Sequence, residues 1–363
     1  MDTLFDLFNQ SGFAQMDWSH WVMFLISGLL FYLAVTKEYE PLLLIPIGFG
    51  ILVANLPLAE MSSNDDGIIG LIYSSGIKTE LLPPIIFLGV GVLTDFRPLL
   101  GRPITFLLGA AAQLGIFIAA IGAVYLFGFT LEEAATIGII GGADGPTAIF
   151  LSSKLANGEV INGMQTANLI GPIAIAAYSY MALVPIIQPP IMRLLTSKRE
   201  RKIRMKPPRS VSRLEKIMFP IVGLILTSFI SPGALPLLGM LFFGNILKES
   251  GVTRRLADTA RTSLIDIVVR LLGLTVGAST QADVFLTTES LMIFSLGAVS
   301  FMIATAGGLI FAKVMNLFLS KENKLNPLIG AAGVSAVPDS ARVVQNEGLK
   351  SDPNNHLLMH AMA

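Results

Sequence analysis

Long apolar runs separated by short polar stretches dominate this chain. Runs of such length cross, or partly cross, the roughly 30 Å hydrocarbon core of a bilayer as helices. The pattern therefore predicts an all-α polytopic membrane protein with about ten transmembrane helices. The runs lie at about 21–35, 41–59, 81–93, 104–128, 161–190, 217–230, 235–247, 263–279 and 290–318.

The composition supports a membrane protein. Of the 363 residues, 53% are hydrophobic and 14% are charged, whereas soluble domains carry about 25% charged residues. Cysteine is absent, which excludes disulfides and thiol chemistry. Residues 1–20 hold Asp2, Asp6 and Asp17 without Lys or Arg, so they are expected to form a lead segment and not a signal peptide.

A basic loop at 193–216 divides the chain. It holds ten Lys and Arg residues against Glu200 and Glu215. The positive-inside rule predicts that this loop is cytoplasmic. The protein is expected to lie in the inner membrane. It separates a first membrane repeat, 21–192, from a second, 217–363. Nucleic-acid binding is not expected, because no aromatic residue is interleaved with the basic ones.

Two helix-breaking segments occupy matching places in the two halves, GGADGPT at 141–147 and NPLIGAAGVSAVP at 326–338. The loop charges predict that they enter the membrane from opposite sides. Such a pair indicates two inverted repeats whose broken helices meet at the midplane and form a binding site. The alternative is a pair of ordinary proline-kinked helices. If Arg193 is cytoplasmic, 134–155 and 161–190 cannot both be single crossings, and one of them must re-enter or cross twice.

The first broken segment carries a lone carboxylate, Asp144, at its centre. A carboxylate beside unwound backbone at membrane depth is an ion-site hypothesis. Oxygen ligands with one formal charge suit Na⁺, or a proton held on Asp144. The alternative is a helix-start residue before Gly145 and Pro146. Nearby polar groups that add oxygen atoms are Thr147, Ser152, Ser153, Asn326 and Ser335.

Other charged residues within the apolar runs have more ordinary interpretations. Asp266 and Arg270 stand four residues apart, which predicts an ion pair on one helix face. Lys154 and Lys313 are expected to snorkel to an interface. Arg342 follows the second broken segment and is interpreted either as a structural partner of Asp144 or as an anchor for an anionic substrate.

The two broken segments resemble a known family. Residues 141–155 (GGADGPTAIFLSSKL) and 326–345 (NPLIGAAGVSAVPDSARVVQ) are similar to the two signature segments of the membrane β subunit of the biotin-dependent, sodium-pumping decarboxylases. Residues 89–96 (GVGVLTDF) add to a resemblance that covers nearly the whole chain. The family acts on oxaloacetate, methylmalonyl-CoA, glutaconyl-CoA or malonate.

The resemblance implies a function. In the family, a carboxyltransferase α subunit moves CO₂ from the substrate to biotin, and the β subunit decarboxylates carboxybiotin while it exports Na⁺ and consumes a proton. Carried over to this sequence, Asp144, Asn326, Gly330 and Ser335 are the implied Na⁺ ligands. Asp144, Ser335 and Arg342 are the implied catalytic residues, and Arg342 with Asn326 is implied to bind carboxybiotin.

The resemblance also implies partners: the α subunit, a biotin carrier, a small membrane γ or δ subunit, and further copies in a homo-oligomer. The carrier is expected to be another polypeptide, because Pro207 follows Met205 and Lys206 where a biotinylation motif has Met. Family members continue past a His-Ala-Met segment, so the last helix is expected to be missing here. Asp339 and Ser340 favour the acyl-CoA members over the oxaloacetate members.

Two other functions compete with this one. A stand-alone Na⁺/H⁺ or carboxylate secondary transporter would show the same repeats and the same acid, but it would need no biotin protein. A purely structural membrane anchor does not explain two broken segments in a lipid setting, where each unsatisfied backbone group costs several kcal/mol.

Overall fold

Helices build most of the described chain, and the all-α prediction is confirmed. The computed structural model describes residues 11–38, 40–58, 67–142, 145–161, 163–320, 322–334 and 337–363. The helices before the first broken segment are α1 Trp18–Thr36, α2 Pro41–Ala54, α3 Ile68–Gly76, α4 Leu82–Leu93, α5 Arg97–Gly101, a 3₁₀ turn Pro103–Thr105, α6 Phe106–Ala112 and α7 Leu114–Phe127.

The first broken segment and the helix after it form the centre of the chain. They comprise α8 Leu131–Gly138, a 3₁₀ turn Ile139–Gly141, α9 Gly145–Leu155, strands β1 Val160–Ile161 and β2 Met164–Gln165, and α10 Ile170–Leu195. The remaining elements are α11 Lys198–Arg201, α12 Arg213–Ile230, a 3₁₀ turn Pro232–Ala234, α13 Leu235–Glu249, α14 Arg254–Thr259, a π-helix Ala260–Leu264, α15 Ile265–Ala278, α16 Ala282–Phe285, α17 Thr288–Phe318, a 3₁₀ helix Pro327–Gly333, α18 Val337–Ser351 and α19 Leu358–Ala361.

Four of these helical stretches are long and apolar enough to cross a membrane by themselves: Trp18–Thr36, Pro103–Phe127, Ile170–Leu195 and Thr288–Phe318. Two shorter apolar helices, α2 and α4, add to them. The structure therefore agrees with a multi-pass membrane protein. The larger number of about ten crossings stays a prediction.

The buried side chains form two main groups. One group surrounds α10, α17 and the second broken segment, and includes Ile173, Phe301 and Leu328. The other joins α1, α2 and α15 with the first half of α10, and includes Ile47 and Leu272. Helix α10 contributes to both groups, and each group holds residues from both halves of the chain.

The apolar run at 161–190 is not helical throughout, contrary to prediction. Its first residues belong to a two-stranded antiparallel hairpin, and helix α10 starts only at Ile170. Gly158 precedes the first strand and Gly163 lies between the two strands. Their φ values are 85° and 81°, which favour glycine. The run at 104–128 is also interrupted, because α6 ends at Ala112 and α7 begins at Leu114.

The expected ion pair between Asp266 and Arg270 is not formed. Both residues are described, and no contact between the charged groups of this pair lies within the 4.0 Å limit for an ion pair. Arg270 is exposed and Asp266 is partly exposed. An exposed pair gains only about 0–1 kcal/mol, so little free energy favours its formation here.

Candidate functional site

Both ends of the first broken segment lie near the start of α10. At its start, Thr130 and Glu133 form a reciprocal capping box, and Oε1 of the buried Glu133 accepts a hydrogen bond from Ala167 N at 2.7 Å. At its end, Leu169 N donates to Ala156 O at 2.9 Å. Ala167 and Leu169 both immediately precede α10. Both ends of the segment 134–155 therefore lie near the start of α10, and the number of times that it crosses the membrane stays a prediction.

The second broken segment is anchored at the opposite end of α10. The amide of the fully buried Asn326 donates to Arg201 O and Ile203 O, each at 2.9 Å. After the segment, Asp352 pairs with Arg204 at 2.8 Å. Both ends of the segment therefore contact the basic loop that follows α10. The hydrogen bonds and the ion pair to this loop hold both ends of the segment near the end of α10.

Both segments pack against helix α17 with close backbone approach. A Cβ atom added at Gly141 would collide with the side chain of Ser300, and one added at Gly330 would collide with the backbone of Gly308. Ser300 and Gly308 are eight residues apart on α17, or about 12 Å along the helix axis at 1.5 Å per residue. The first and second broken segments thus lie side by side on the same helix.

The junction between α6 and α7 also borders both segments. A Cβ at Gly333 would lie 2.9 Å from Ala112 Cβ, and a Cβ at Gly142 would lie 2.5 Å from Gln113 Oε1. Gly141 and Gly333 each stand five residues before the proline of their own segment. Each segment therefore contacts a helix from the other half of the chain at an equivalent glycine.

Both segments contain 3₁₀ helix. The turn Ile139–Gly141 and the seven-residue helix Pro327–Gly333 are 3₁₀ helices, and 3₁₀ runs longer than three or four residues are uncommon. Beside them, the hydroxyls of Ser152 and Ser153 donate to carbonyls of their own helix. Those two hydroxyls are thereby engaged within α9.

The predicted site residues occupy different parts of this arrangement. Asp144 and Ser335 lie outside the described residues. Gly330 lies in the 3₁₀ helix against α17. Asn326 lies at the base of its segment, where its Oδ1 accepts from Leu328 N at 3.1 Å. Arg342 lies on α18, with its exposed guanidinium 3.4 Å from Asp339 Oδ1.

The two intramembrane lysines reach carboxylates outside their own helices. Lys154 Nζ lies 3.3 Å from Glu80 Oε2, and Lys313 Nζ lies 3.3 Å from Glu200 Oε1. Glu80 precedes α4 and Glu200 belongs to the basic loop. Both ammonium groups therefore point to loop residues, as expected of snorkelling lysines.

Glu40 is a candidate that the sequence did not indicate. It lies in the turn between α1 and α2, with φ of 39°, a left-handed value that is rare without glycine. Its side chain hydrogen-bonds to Asp339, which in turn pairs with Arg342. Burial, with the hydrogen bond and charge of Asp339, raises the pKa of Glu40 to about 7, and Arg342 opposes this shift. A hydrogen bond between two carboxyl groups requires a proton, and the raised pKa of Glu40 favours a proton on its own side chain.

Two polar residues of α10 were also missed. The ring of the buried Tyr178 lies where a Cβ of Gly145 would be, directly after the position of Asp144. The fully buried Gln188 donates from Nε2 to Ala331 O at 3.0 Å and to Ser340 Oγ at 3.2 Å. The sequence did hold a signal for both, since each interrupts the apolar run of a membrane helix.

The sequence matches a known protein family. Residues 19–363 match the family model of the Na⁺-transporting oxaloacetate decarboxylase β subunit. The chain belongs to this family. The resemblance of the two signature segments is therefore confirmed, and the chain is the β subunit of a sodium-transporting, biotin-dependent decarboxylase. Family membership favours this function over a stand-alone transporter.

Curated relatives cover the whole chain. It is 51% identical to the methylmalonyl-CoA decarboxylase subunit β of Propionigenium modestum, covering 100% of this chain and 94% of the relative. It is 50% identical to the glutaconyl-CoA decarboxylase subunit β of Acidaminococcus fermentans, covering 99% and 92%. It is 47% identical to the oxaloacetate decarboxylase β chain 2 of Salmonella typhi, covering 100% and 94%.

Proposed function

We propose that this β subunit decarboxylates carboxybiotin, which a partner biotin carrier presents, and couples the reaction to Na⁺ export and proton consumption. The observation that carries the proposal is the approach of two broken segments from opposite ends of α10 to adjacent places on α17. Broken helices that approach each other in this way form the binding sites of ion-coupled transporters.

The transported Na⁺ is held between the two segments by Asp144, Asn326, Gly330 and Ser335. The donor set fits this ion, because hard cations take oxygen ligands and the 3₁₀ geometry of both segments supplies carbonyls beside the side chains. Asn326 contributes through the remaining acceptor capacity of Oδ1, since its amide group is engaged with the basic loop. Asp144 supplies the only formal charge of the set.

Arg342 and Asn326 orient carboxybiotin. The side chain of Arg342 is 74% exposed, so its guanidinium is accessible to an incoming carboxylate, which it can bind with two parallel hydrogen bonds. Carboxybiotin supplies the N-carboxylate group whose C–N bond breaks to release CO₂. The biotin nitrogen then needs a proton, which Asp144 and Ser335 relay.

Proton entry and Na⁺ release are linked at Asp144. A proton on this carboxylate removes the charge that binds Na⁺, so the ion leaves when the proton arrives. Moving one charge against 100 mV costs about 2.3 kcal/mol. Decarboxylation must therefore favour a conformation that is open to the outside, because a reaction can shift an equilibrium only through different interactions with its two states.

The two halves of the chain are inverted repeats, 21–192 and 217–363, and together they cross the membrane about ten times. The matched contacts of the two segments support this arrangement: Gly141 packs on α17 of the second half, and Gly333 packs on α6 of the first half. The lead 1–20 and the loop 193–216 lie outside the repeats.

The protein lies in the inner membrane with the basic loop 193–216 in the cytoplasm, in line with the positive-inside rule. Its partners are the carboxyltransferase α subunit, the biotin carrier, a small membrane γ or δ subunit and further copies of itself. The pair Asp339 and Ser340 favours methylmalonyl-CoA or glutaconyl-CoA as the substrate of the complex, and two of the relatives named above act on these compounds.

One experiment separates this function from plain secondary transport. The tagged subunit is purified from its own cells, probed with streptavidin for a biotinylated partner, and the complex is reconstituted into vesicles. We expect a biotinylated protein to copurify and the acyl-CoA substrate to drive Na⁺ uptake into inverted vesicles. Na⁺/H⁺ exchange without substrate, with no biotinylated partner, would contradict the proposal.

A further inference from the structure

Ser300 is a buried hydroxyl without a hydrogen-bond partner. It lies near the middle of α17, its side chain is inaccessible to solvent, and Oγ has no donor or acceptor within hydrogen-bond distance among the described residues. A buried polar group in this condition costs about 1–3 kcal/mol. Such groups are rare enough in native proteins to need an explanation, and an ion or a water is the first to consider.

Other buried hydroxyls in the helices avoid this cost. The hydroxyls of Ser152, Ser153, Thr275 and Thr305 each donate to a carbonyl three or four residues earlier in the same helix. The same carbonyls are available to a serine within α17. Ser300 does not use them, and its Oγ is directed at Gly141 in the first broken segment.

Packing alone does not require a hydroxyl at this place. The equivalent glycine of the second segment, Gly333, meets the methyl group of Ala112 and the backbone of Leu108. A methyl group therefore fills the matching contact in the other half of the chain. The oxygen atom at Ser300 is an addition that is specific to the segment with Asp144.

A second side-chain oxygen borders the next residue. Gln113 Oε1 lies 2.5 Å from the place of a Cβ on Gly142, while Gln113 Nε2 donates to Gly109 O at 3.3 Å. This hydrogen bond fixes the orientation of the amide, so that its oxygen faces the broken segment. Two neutral oxygens, from α17 and from the α6–α7 junction, thus flank the consecutive glycines that lead to Asp144.

We propose that Ser300 Oγ and Gln113 Oε1 are ligands of the transported Na⁺ while it lies at the first broken segment, a position on its path that is separate from Gly330. This inference rests on the function proposed above. Both atoms are uncharged, as a monovalent site with one carboxylate requires. The absence of a Cβ atom at Gly141 makes room for Ser300 Oγ, and its absence at Gly142 makes room for the side chains of Ile116 and Gln113.

The test measures Na⁺ binding separately from catalysis. The full-length subunit is purified in detergent, and its melting temperature is followed as NaCl replaces KCl at constant ionic strength, since a bound ligand stabilises the folded state. The Na⁺ dependence of free carboxybiotin decarboxylation is measured in parallel. We compare Ser300→Ala and Gln113→Leu with Thr305→Val, a matched control whose buried hydroxyl is engaged with Phe301 O at 2.9 Å.

We expect Ser300→Ala to raise the Na⁺ concentration at half-effect about tenfold in both assays, with the maximal rate retained at saturating Na⁺. Gln113→Leu should shift it in the same direction, and Thr305→Val should leave it unchanged. If Ser300→Ala does not fold, the Na⁺ midpoint of Gln113→Leu tests the ligand assignment. A wild-type Na⁺ midpoint in both variants overturns the ligand assignment alone, whereas a wild-type protein with no response to Na⁺ overturns the proposed function as well.

Discussion

Glu133 Oε1 accepts a hydrogen bond from Ala167 N at 2.7 Å, across 34 residues of sequence. Its other oxygen, Oε2, accepts from Thr130 N at 3.0 Å. One carboxylate therefore ties the start of the first broken segment to the residues that precede α10. This contact places the start of the segment next to the start of α10.

Removal of that carboxylate should loosen the hairpin. We expect Glu133→Ala to lower the free energy of unfolding by about 1–3 kcal/mol, because two backbone donors lose their acceptor. The melting temperature of the purified protein in detergent measures the effect. Glu289→Ala, an exposed acid in the first turn of α17, is the matched control. Equal melting temperatures for both variants would contradict the role assigned to Glu133.

Close backbone packing predicts that two glycines behave alike. A Cβ at either Gly330 or Gly308 would strike the backbone of the other residue, and overpacking costs about 1–3 kcal/mol. We expect Gly330→Ala and Gly308→Ala to lower stability and decarboxylation to a similar extent. Gly109→Ala, whose Cβ would meet no atom within 4 Å, should be tolerated. An inactive Gly330→Ala beside an active Gly308→Ala would show that Gly330 acts at the ion and not through packing.

Gln188 should control the shape of the second segment. Its side chain forms hydrogen bonds to Ala331 and to Ser340. These two residues lie before and after Ser335 in the sequence. We expect Gln188→Leu to cost about 1–3 kcal/mol of stability, because it leaves Ala331 O buried without a donor, and to raise the Na⁺ midpoint. Gln281→Ala, at an exposed glutamine, serves as the control. A Gln188→Leu variant with unchanged stability would refute the bridging role.

The carboxyl group of Glu40 should make stability depend on pH. Since its pKa is raised to about 7 from 4.5, the folded state favours the protonated form. The contribution of Glu40 to stability is therefore complete below pH 4.5 and is lost as the pH rises through about 7. Glu40→Gln mimics the protonated form and should flatten this part of the profile, whereas Glu38→Gln should not. Melting temperatures between about pH 5 and 8 test this, and parallel profiles for all three proteins would contradict it.

The helical class and several of the long apolar helices could be predicted from the sequence, because the length of an apolar run is a local property. The predicted runs at 21–35 and 290–318 correspond to helices α1 and α17, whose ends differ from the prediction by a few residues. The two broken segments were found from their glycines and prolines, which interrupt helices in any context. The family followed from the same residues.

The remaining features depend on contacts between residues that are distant in sequence. The hairpin at Val160–Gln165 is held by turn glycines inside an apolar run that reads as a helix. The return of the first broken segment to the start of α10 depends on the contact of Glu133 with Ala167. Glu40, Gln188 and Ser300 are single polar residues whose role appears only when the chain brings them to a broken segment.

The central claim concerns Na⁺ and Asp144, and one assay addresses it. The decarboxylation of free carboxybiotin by the purified full-length protein is measured as a function of Na⁺ concentration, with wild type beside Asp144→Asn. We expect Na⁺ to stimulate the wild-type reaction and the variant to lose this stimulation together with activity. Full Na⁺-stimulated activity in Asp144→Asn would contradict the mechanism.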